Sequence, residues 1–375
     1  MPTRSTRVAF DGETVTINEA ATYRGSRAEG LLLNVRTVNA TFDDTLGRVA
    51  WWDDDGSRPE NDHAGHGAWD SPASADANTR RFIEALPQYR DFGIPAVNLN
   101  FQGGHPIQAK TWIPEAAGSA GRRPNGHRDF YHNSAFRPDG SIDPDYADRI
   151  DRVITACDDL GMVVILQLFY FGQDTVFQSE DAVREATRNA MDFVCDRGYT
   201  NVLVEIANEV MAGHYHHDIL KPARAHELIL LAREHARDVH ERDVLVSTSE
   251  AALLSRGQWT EEQVDDVFAA SDFVLLHGGD GSAEEGDTED TEVARKIRYI
   301  RARPWYQERS RPIIFNESDG ATAFDAALAA GVSFGLHSDL MQTVWPPKWG
   351  VWDNDTLWFY ERARDATGSR GRQVG

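Results

Sequence analysis

The sequence predicts a single (β/α)8 barrel, an α/β TIM-barrel fold, and three observations support this fold class. Short apolar runs of strand length alternate with amphipathic helical segments along most of the 375 residues. The runs are apolar on both faces, as are strands of a parallel sheet covered by helices. Eight such units fit one chain of this length, and no linker divides it. A doubly wound open sheet is the alternative, but no G-x-G-x-x-G motif follows an early strand.

The N-terminal residues predict a β-hairpin that caps the barrel. Asp11-Gly12 separates two runs of strand character, and Asp-Gly is a preferred hairpin turn. The tail is rich in Gly, Ser and Arg and is expected to be disordered. The predicted organisation is therefore a hairpin cap over 1–25, a catalytic barrel over 26–367 and a disordered tail over 368–375.

Eight apolar runs of four to seven residues predict the barrel strands. They are residues 31–36, 94–100, 162–168, 202–206, 244–247, 273–276, 312–315 and 332–335. Helical periodicity fills the intervals between them. Asp143-Pro144 begins one helix, and Thr260 with Gln263 forms a capping box at another. Pro87 lies inside the first helical pattern, where it is expected to kink the helix.

The charge balance excludes several classes of partner. The chain has 60 acidic and 38 basic residues, for a net charge of −22, so it repels the phosphate backbone of nucleic acids. Only four of the basic residues are lysines. Scarce lysine with abundant carboxylates indicates either adaptation to high salt, where surface repulsion is screened, or a GC-rich genome.

The sequence has neither a membrane-spanning run of about 20 apolar residues nor a secretory apolar region at the N-terminus. Its two cysteines, Cys157 and Cys195, both lie in helical patterns. We therefore expect a cytoplasmic protein with no disulfide and no membrane partner. The oligomeric state is left open.

Active sites of (β/α)8 enzymes lie at the C-terminal ends of the strands. The polar residues found there are the candidate substrate-binding residues from the strands. They are Arg36, Asn98, Tyr170, Asn208 and His277. Long loops over 38–78 and 102–143 add Trp52 and His105, and Trp345 follows the eighth strand. Aromatic faces beside hydrogen-bonding groups suit a carbohydrate substrate, because sugar C–H faces stack while the hydroxyls form hydrogen bonds.

Glu209 and Glu317 are the candidate catalytic pair. Each follows an apolar strand, each is preceded by an Asn, and they come after strands four and seven. Across a barrel mouth these strands can bring two carboxylates to opposite sides of one glycosidic bond. Glycoside hydrolysis requires one carboxylic acid to protonate the leaving oxygen and one carboxylate to attack carbon or activate water.

Two segments carry a family resemblance. VEIANE at residues 204–209 resembles the strand-four signature of glycoside hydrolase family 5 and its clan, the cellulase-like retaining glycosidases. PIIFNE at residues 312–317 is similar to their strand-seven segment. The resemblance implies that Glu209 is the acid/base, that Asn208 donates to the sugar 2-hydroxyl, that Glu317 is the nucleophile, and that no cofactor is needed.

The sequence also departs from the family pattern. Asn98 stands where the family has an Arg at the end of strand two, and Arg36, one strand earlier, is the candidate to occupy that space. Gln167 or Tyr170 replaces the histidine of strand three. Gly279 stands where a Tyr follows the histidine of strand six, here His277. The resemblance also makes Trp345 the candidate sugar platform.

Two other functions are left open. Histidines near the predicted barrel mouth favour a Zn²⁺- or Mn²⁺-dependent hydrolase or isomerase, although no H-x-H ends strand one and no H-E-x-x-H occurs. The missing family residues favour a catalytically silent carbohydrate-binding barrel. The preferred prediction is a metal-free retaining glycosidase acting on a β-linked glycoside.

Overall fold

The computed structural model describes residues 4–41, 72–103, 134–212, 215–255, 259–338, 341, 347–352 and 355–369. Three of the predicted site residues, Trp52, His105 and Trp345, lie outside the described residues. Most of the predicted C-terminal tail also lies outside them.

A parallel sheet of nine strands forms the barrel. The strands are β4 Asn34–Arg36, β5 Ala96–Asn100, β6 Val163–Phe169, β7 Val202–Ala207, β8 Val246–Ser247, β9 Ser249–Glu250, β10 Val274–Gly278, β11 Ile313–Ser318 and β12 Gly335–Leu336. Their order in the sheet is β8-β7-β6-β5-β4-β12-β11-β10-β9. Only Thr248 separates β8 from β9, so these two are halves of the fifth barrel strand and they join the two edges of the sheet. The predicted (β/α)8 barrel is therefore confirmed.

Helices surround this sheet. They are α1 Pro72–Asp91, α2 Pro144–Asp159, α3 Glu180–Asp196, α4 Ala225–His240, α5 Glu261–Ala270, α6 Glu292–Arg301, α7 Pro304–Glu308, α8 Ala321–Ala329 and α9 Leu357–Thr367. The Asp143 side chain caps α2, and the Thr260–Gln263 capping box begins α5, both as the sequence predicts. Helix α1 continues through Pro87. Phe82, Leu86 and Tyr89 on this helix are fully buried, and their packing on the barrel offsets the one hydrogen bond that proline removes.

The N-terminal hairpin lies at the bottom of the barrel. Strands β1 Val8–Asp11 and β2 Thr14–Ile17 are antiparallel, and the two-residue β3 Ala20–Ala21 extends them to a three-stranded sheet. Val8 and Val15 pack against Leu32, Leu203 and other side chains of the lower barrel interior. The backbone N–H of Val8 also donates to the Thr200 carbonyl at 2.9 Å. The hairpin therefore closes the end opposite to the strand C-termini.

Apolar side chains form two buried layers. One small cluster fills the lower barrel interior, and a larger one lies between the sheet and the helices. Cys157 and Cys195 are both buried and unpaired. In the part of the chain that the structure describes, no helix is long and apolar enough to cross a bilayer. The upper barrel interior is different, since buried polar side chains replace apolar ones there.

Candidate active site

Arg36 lies at the centre of the polar layer at the upper end of the barrel. It ends strand β4 and is completely buried. Its Nε atom is 2.7 Å from Oε2 of Glu317. Its Nη2 atom donates to Oε1 of Gln167 at 3.0 Å and to Oδ1 of Asn208 at 2.6 Å. One guanidinium therefore connects side chains from β6, β7 and β11.

Glu209 and Glu317 approach each other across the barrel mouth. Together with His277 they offer side-chain atoms that all lie within 4.8 Å of one another. His277 Nδ1 lies 2.9 Å from Oε1 of Glu209 and 3.5 Å from Oε2 of Glu317. The two carboxylates thus face the same small volume, and one imidazole lies against both.

The backbone at Glu209 turns sharply at the end of β7. Its φ is +51°, in the left-handed region that non-glycine residues seldom adopt. Its N–H donates to the hydroxyl of Ser249 at 3.3 Å. In the following segment, the N–H of Met211 donates to Oε2 of Glu250 at 2.6 Å and that of Ala252 donates to Oε1. The buried Glu250 therefore holds together the loops that follow β7 and β9.

The charges around Glu317 favour its ionised form. Burial alone raises the pKa of this carboxyl, but nearby positive charge, above all that of Arg36, outweighs that effect, so its pKa lies below the ordinary value. His337 Nε2 is 3.4 Å from Oε1 of Glu317. Burial lowers the pKa of His277 to about 3, so its imidazole is neutral at physiological pH.

The contact between His277 and Glu209 accommodates two proton positions. Either the Nδ1–H of the neutral imidazole donates to the Glu209 carboxylate, or the O–H of protonated Glu209 donates to Nδ1. The imidazole can therefore form a hydrogen bond with Glu209 in either protonation state of the carboxyl group.

A second polar layer lies below these carboxylates. Asn316 Nδ2 donates to Oε2 of Glu205 at 3.0 Å and to Oδ1 of Asn98 at 3.2 Å. Asn98 in turn donates to Oδ1 of Asn34 at 2.9 Å. Burial raises the pKa of Glu205 to about 7, although Arg36 acts in the opposite direction. Among the described residues, the Asn98 side chain therefore forms its hydrogen bonds with other residues of the barrel interior, below the two carboxylates.

Asn208 and Tyr170 lie close to Glu209 and Glu317. The Asn208 side chain is fully buried, and among the described residues its Nδ2 has no hydrogen-bond partner. Burial raises the pKa of Tyr170 well above its ordinary value, and the charges of Glu317 and Glu209 act in the same direction. The site therefore presents an amide donor and a neutral phenol beside the two carboxylates.

The structure brings together Arg36, Tyr170, Asn208, Glu209, His277 and Glu317 from the predicted set. His337, one of the histidines expected near the barrel mouth, also lies there. The structure adds Glu205 and Glu250, which the sequence did not indicate as site residues. Glu205 could have been recognised from the sequence, because it is the one charged residue in the apolar run of 202–206. A lone acid within a strand that is buried on both faces needs a partner. Asn316 donates a hydrogen bond to it, and Arg36 supplies the positive charge that acts on it.

No protein-family model matches the sequence, and no curated protein matches it either. Several solved structures are similar in fold over nearly the whole chain. They include a β-mannanase from the blue mussel Mytilus edulis, with 11% identity, a TM-score of 0.51 and coverage of 99% of this chain and 98% of that chain.

Two mannosidases are similar at the same level. A glycoside hydrolase family 5 mannosidase from Rhizomucor miehei has 13% identity and a TM-score of 0.52, with 97% of this chain and 98% of that chain covered. An exo-β-1,4-mannosidase from an Opitutaceae bacterium has 12% identity and a TM-score of 0.54, with 95% of this chain and 63% of that chain covered. At such identities the likeness shows the fold. The chain shares the (β/α)8 fold of these proteins, and the predicted resemblance to family 5 barrels is confirmed at the level of the fold.

Proposed function

We propose that this protein is a retaining glycoside hydrolase that cleaves a β-linked glycoside, with Glu317 as nucleophile and Glu209 as acid/base. One observation carries the proposal. One carboxylate oxygen of Glu209 and one of Glu317 lie within 4.8 Å of each other at the carboxyl ends of β7 and β11. Retaining enzymes hold their carboxyl groups about 5–5.5 Å apart, whereas inverting enzymes separate them by about 6.5–9.5 Å to admit a water molecule.

In the first step, Glu317 attacks the anomeric carbon and the bond to the leaving oxygen breaks. Attack requires an ionised carboxylate, and the Arg36 guanidinium at 2.7 Å supports that state. Glu209 transfers its proton to the leaving oxygen. The products are a free alcohol and a glycosyl ester of Glu317, with Glu209 now ionised.

In the second step, Glu209 removes a proton from water and the resulting hydroxide equivalent attacks the anomeric carbon. The ester bond breaks, Glu317 leaves as a carboxylate, and Glu209 regains its proton. Two inversions at one carbon give net retention. Arg36 stabilises the departing Glu317 carboxylate as it stabilises the resting one.

Asn208 is proposed as the donor to the sugar 2-hydroxyl. Its Oδ1 accepts from Arg36 at 2.6 Å, which orients the amide and leaves Nδ2 as the free donor among the described contacts. Hydrogen bonds to this hydroxyl strengthen in the transition state. We further propose that Tyr170 contacts the same sugar, and that Trp52, His105 and Trp345 also bind substrate.

The test is hydrolysis of a panel of p-nitrophenyl β-glycosides, with β-mannoside included because similar folds belong to mannosidases. Proton NMR of the first-formed sugar should show the β-anomer. Glu317→Gln should abolish turnover, while Glu308→Gln, which changes an exposed glutamate on α7, should not. Azide added to Glu317→Ala should give the inverted glycosyl azide. An α-anomeric first product, or full activity in Glu317→Gln, would refute the mechanism.

A metal-dependent hydrolase is a second candidate, because Glu209, His277 and Glu317 could each supply one ligand to a divalent ion. The buried Arg36 charge beside Glu317 opposes this function, since a second cation there adds repulsion in a low-dielectric site. Activity that survives exhaustive EDTA treatment supports the glycosidase. Activity lost with EDTA and restored by Zn²⁺ or Mn²⁺ supports the metal enzyme.

A further inference from the structure

A second cluster of ionisable side chains lies on the outside of the barrel, between α3 and α4. It consists of Asp192, His235 and His240, and we refer to it as the Asp192 cluster. Oδ1 of Asp192 is 2.6 Å from Nε2 of His235 and 2.7 Å from Nε2 of His240. One potential ligand atom from each residue lies within 4.8 Å of the other two.

His240 has a carboxylate at both of its ring nitrogens. Nε2 faces Asp192, and Nδ1 lies 3.4 Å from Oδ1 of Asp196. A neutral imidazole carries a single N–H, so it can donate at only one of these positions. With Nε2 bound to a metal ion, the single N–H of a neutral His240 would lie at Nδ1, on the side of Asp196.

We propose that the Asp192 cluster binds Zn²⁺ or a similar divalent transition metal. The ligands are Nε2 of His235, Nε2 of His240 and a carboxylate oxygen of Asp192. Imidazole nitrogens and a carboxylate oxygen are ordinary zinc ligands. Asp196 completes the arrangement by accepting the Nδ1–H of His240, as carboxylates beside metal-bound histidines commonly do.

The geometry requires only a small adjustment. Ligand atoms in a tetrahedral zinc site stand about 3.3 Å apart, because each Zn–N or Zn–O bond is about 2.0–2.1 Å. The present separations of 2.6 and 2.7 Å are shorter, so Asp192 has to withdraw by less than about 1 Å. Its side chain is 39% exposed and free to do so, whereas each imidazole is only 14% exposed. Water can supply the fourth ligand from the exposed side.

The consequence is structural. The metal would join α3 to α4, and it would stabilise the folded protein because the separated ligands of the unfolded chain bind it poorly. This inference does not depend on the proposed glycosidase function, since none of the residues of the cluster contributes to the Glu209–Glu317 site. A failure of either proposal leaves the other intact.

The experiment titrates EDTA-stripped protein with Zn²⁺ by calorimetry and by thermal unfolding at pH 7.5. The test variant is His235→Gln combined with His240→Gln. The control is His226→Gln, nine residues from His235 on α4 and therefore about 13 Å along the helix. Wild type and control should bind one Zn²⁺ more than the test variant. With free Zn²⁺ at 100 times Kd, their Tm should rise by about 3 °C more than that of the test variant.

The proposal would be overturned if wild type and test variant bound the same number of Zn²⁺ ions and showed the same rise in Tm. Should the test variant fail to fold, ¹⁵N NMR of histidine side chains in the wild type decides the matter. Zn²⁺ should move the Nε2 resonances of His235 and His240 at one equivalent, and unchanged resonances would overturn the proposal. Binding should also weaken at pH 5, where protons compete for the imidazoles.

Discussion

Removal of the Arg36 charge should change the ionisation of Glu317 more than any other substitution of a residue that contacts it. Arg36 is completely buried, and its Nε is 2.7 Å from Oε2 of Glu317. Arg36→Met keeps much of the side-chain volume and removes the cation. Glu317 then retains the burial that raises its pKa and loses the first of the attractions that lower it.

The magnitude follows from Coulomb's law. Unit charges whose centres are about 4 Å apart attract by about 4 kcal/mol at an effective dielectric constant of about 20. At about 1.4 kcal/mol for each pKa unit, the pKa of Glu317 should rise by about 3 units. Breaking one side of a buried ion pair should also lower the free energy of unfolding by about 3–5 kcal/mol.

The measurement is a ¹³C NMR titration of protein labelled at the glutamate side-chain carboxyls, with Glu317→Gln used to assign the resonance. It needs no substrate. Arg36→Lys keeps the charge and should give a much smaller shift. Arg149→Met serves as control, because it removes a buried guanidinium on α2 that contacts Thr41 and Tyr146 instead of Glu317. A rise of less than about 0.5 pKa units in Arg36→Met would refute the electrostatic argument.

Three further predictions concern the active site, the barrel interior and the surface. Glu209→Gln should lower kcat by about 10²–10⁴-fold on glycosides with poor leaving groups and much less on activated aryl glycosides, because only the former need a proton from the acid; an equal loss on both classes would contradict the role. The raised Glu205 pKa of about 7 predicts that wild type loses stability as pH rises from about 4.5 to 7, since the unfolded chain releases this proton first. Glu205→Gln should remove that component, at most about 3 kcal/mol, from unfolding curves measured at each pH, and identical pH profiles for both proteins would count against it. The net charge of −22 predicts a Tm that rises between low salt and molar KCl, and a flat Tm would remove the interpretation as adaptation to salt.

The secondary structure followed closely from local patterns. Residues 202–206 were predicted as a strand, and the structure has Val202–Ala207. The helix that Asp143-Pro144 begins ends at Asp159, close to the predicted closing Gly161. The fifth strand was predicted less well. The predicted range is 244–247, but the structure has strands at Val246–Ser247 and Ser249–Glu250. Residues 247–250 are polar and carry no apolar pattern that predicts a strand. They form strands because they pair with the neighbouring strands β7 and β10 of the barrel.

The candidate site was predicted in part. Glu209 and Glu317 could be proposed because each ends an apolar strand after an Asn, and strand order in a barrel places such ends on one rim. The surroundings of Glu205, Glu250 and His337 could not be predicted, because the residues that contact or influence each of them come from other parts of the chain. The Asp192 cluster was also not recognised, because His235 and His240 are five residues apart and do not share the i, i+4 spacing of ligands on one helical face.

The sequence by itself determined the fold class, the number of barrel strands and the two glutamates at their ends, because hydrophobic periodicity and strand-end polarity are local properties. Only the tertiary structure decided which side chains surround those glutamates. Arg36 and Glu317 are separated by about three quarters of the chain. Closure of the barrel nevertheless places β12 between β4 and β11 and brings the two side chains to 2.7 Å. Electrostatic interaction depends on distance in space, and sequence separation does not reveal that distance.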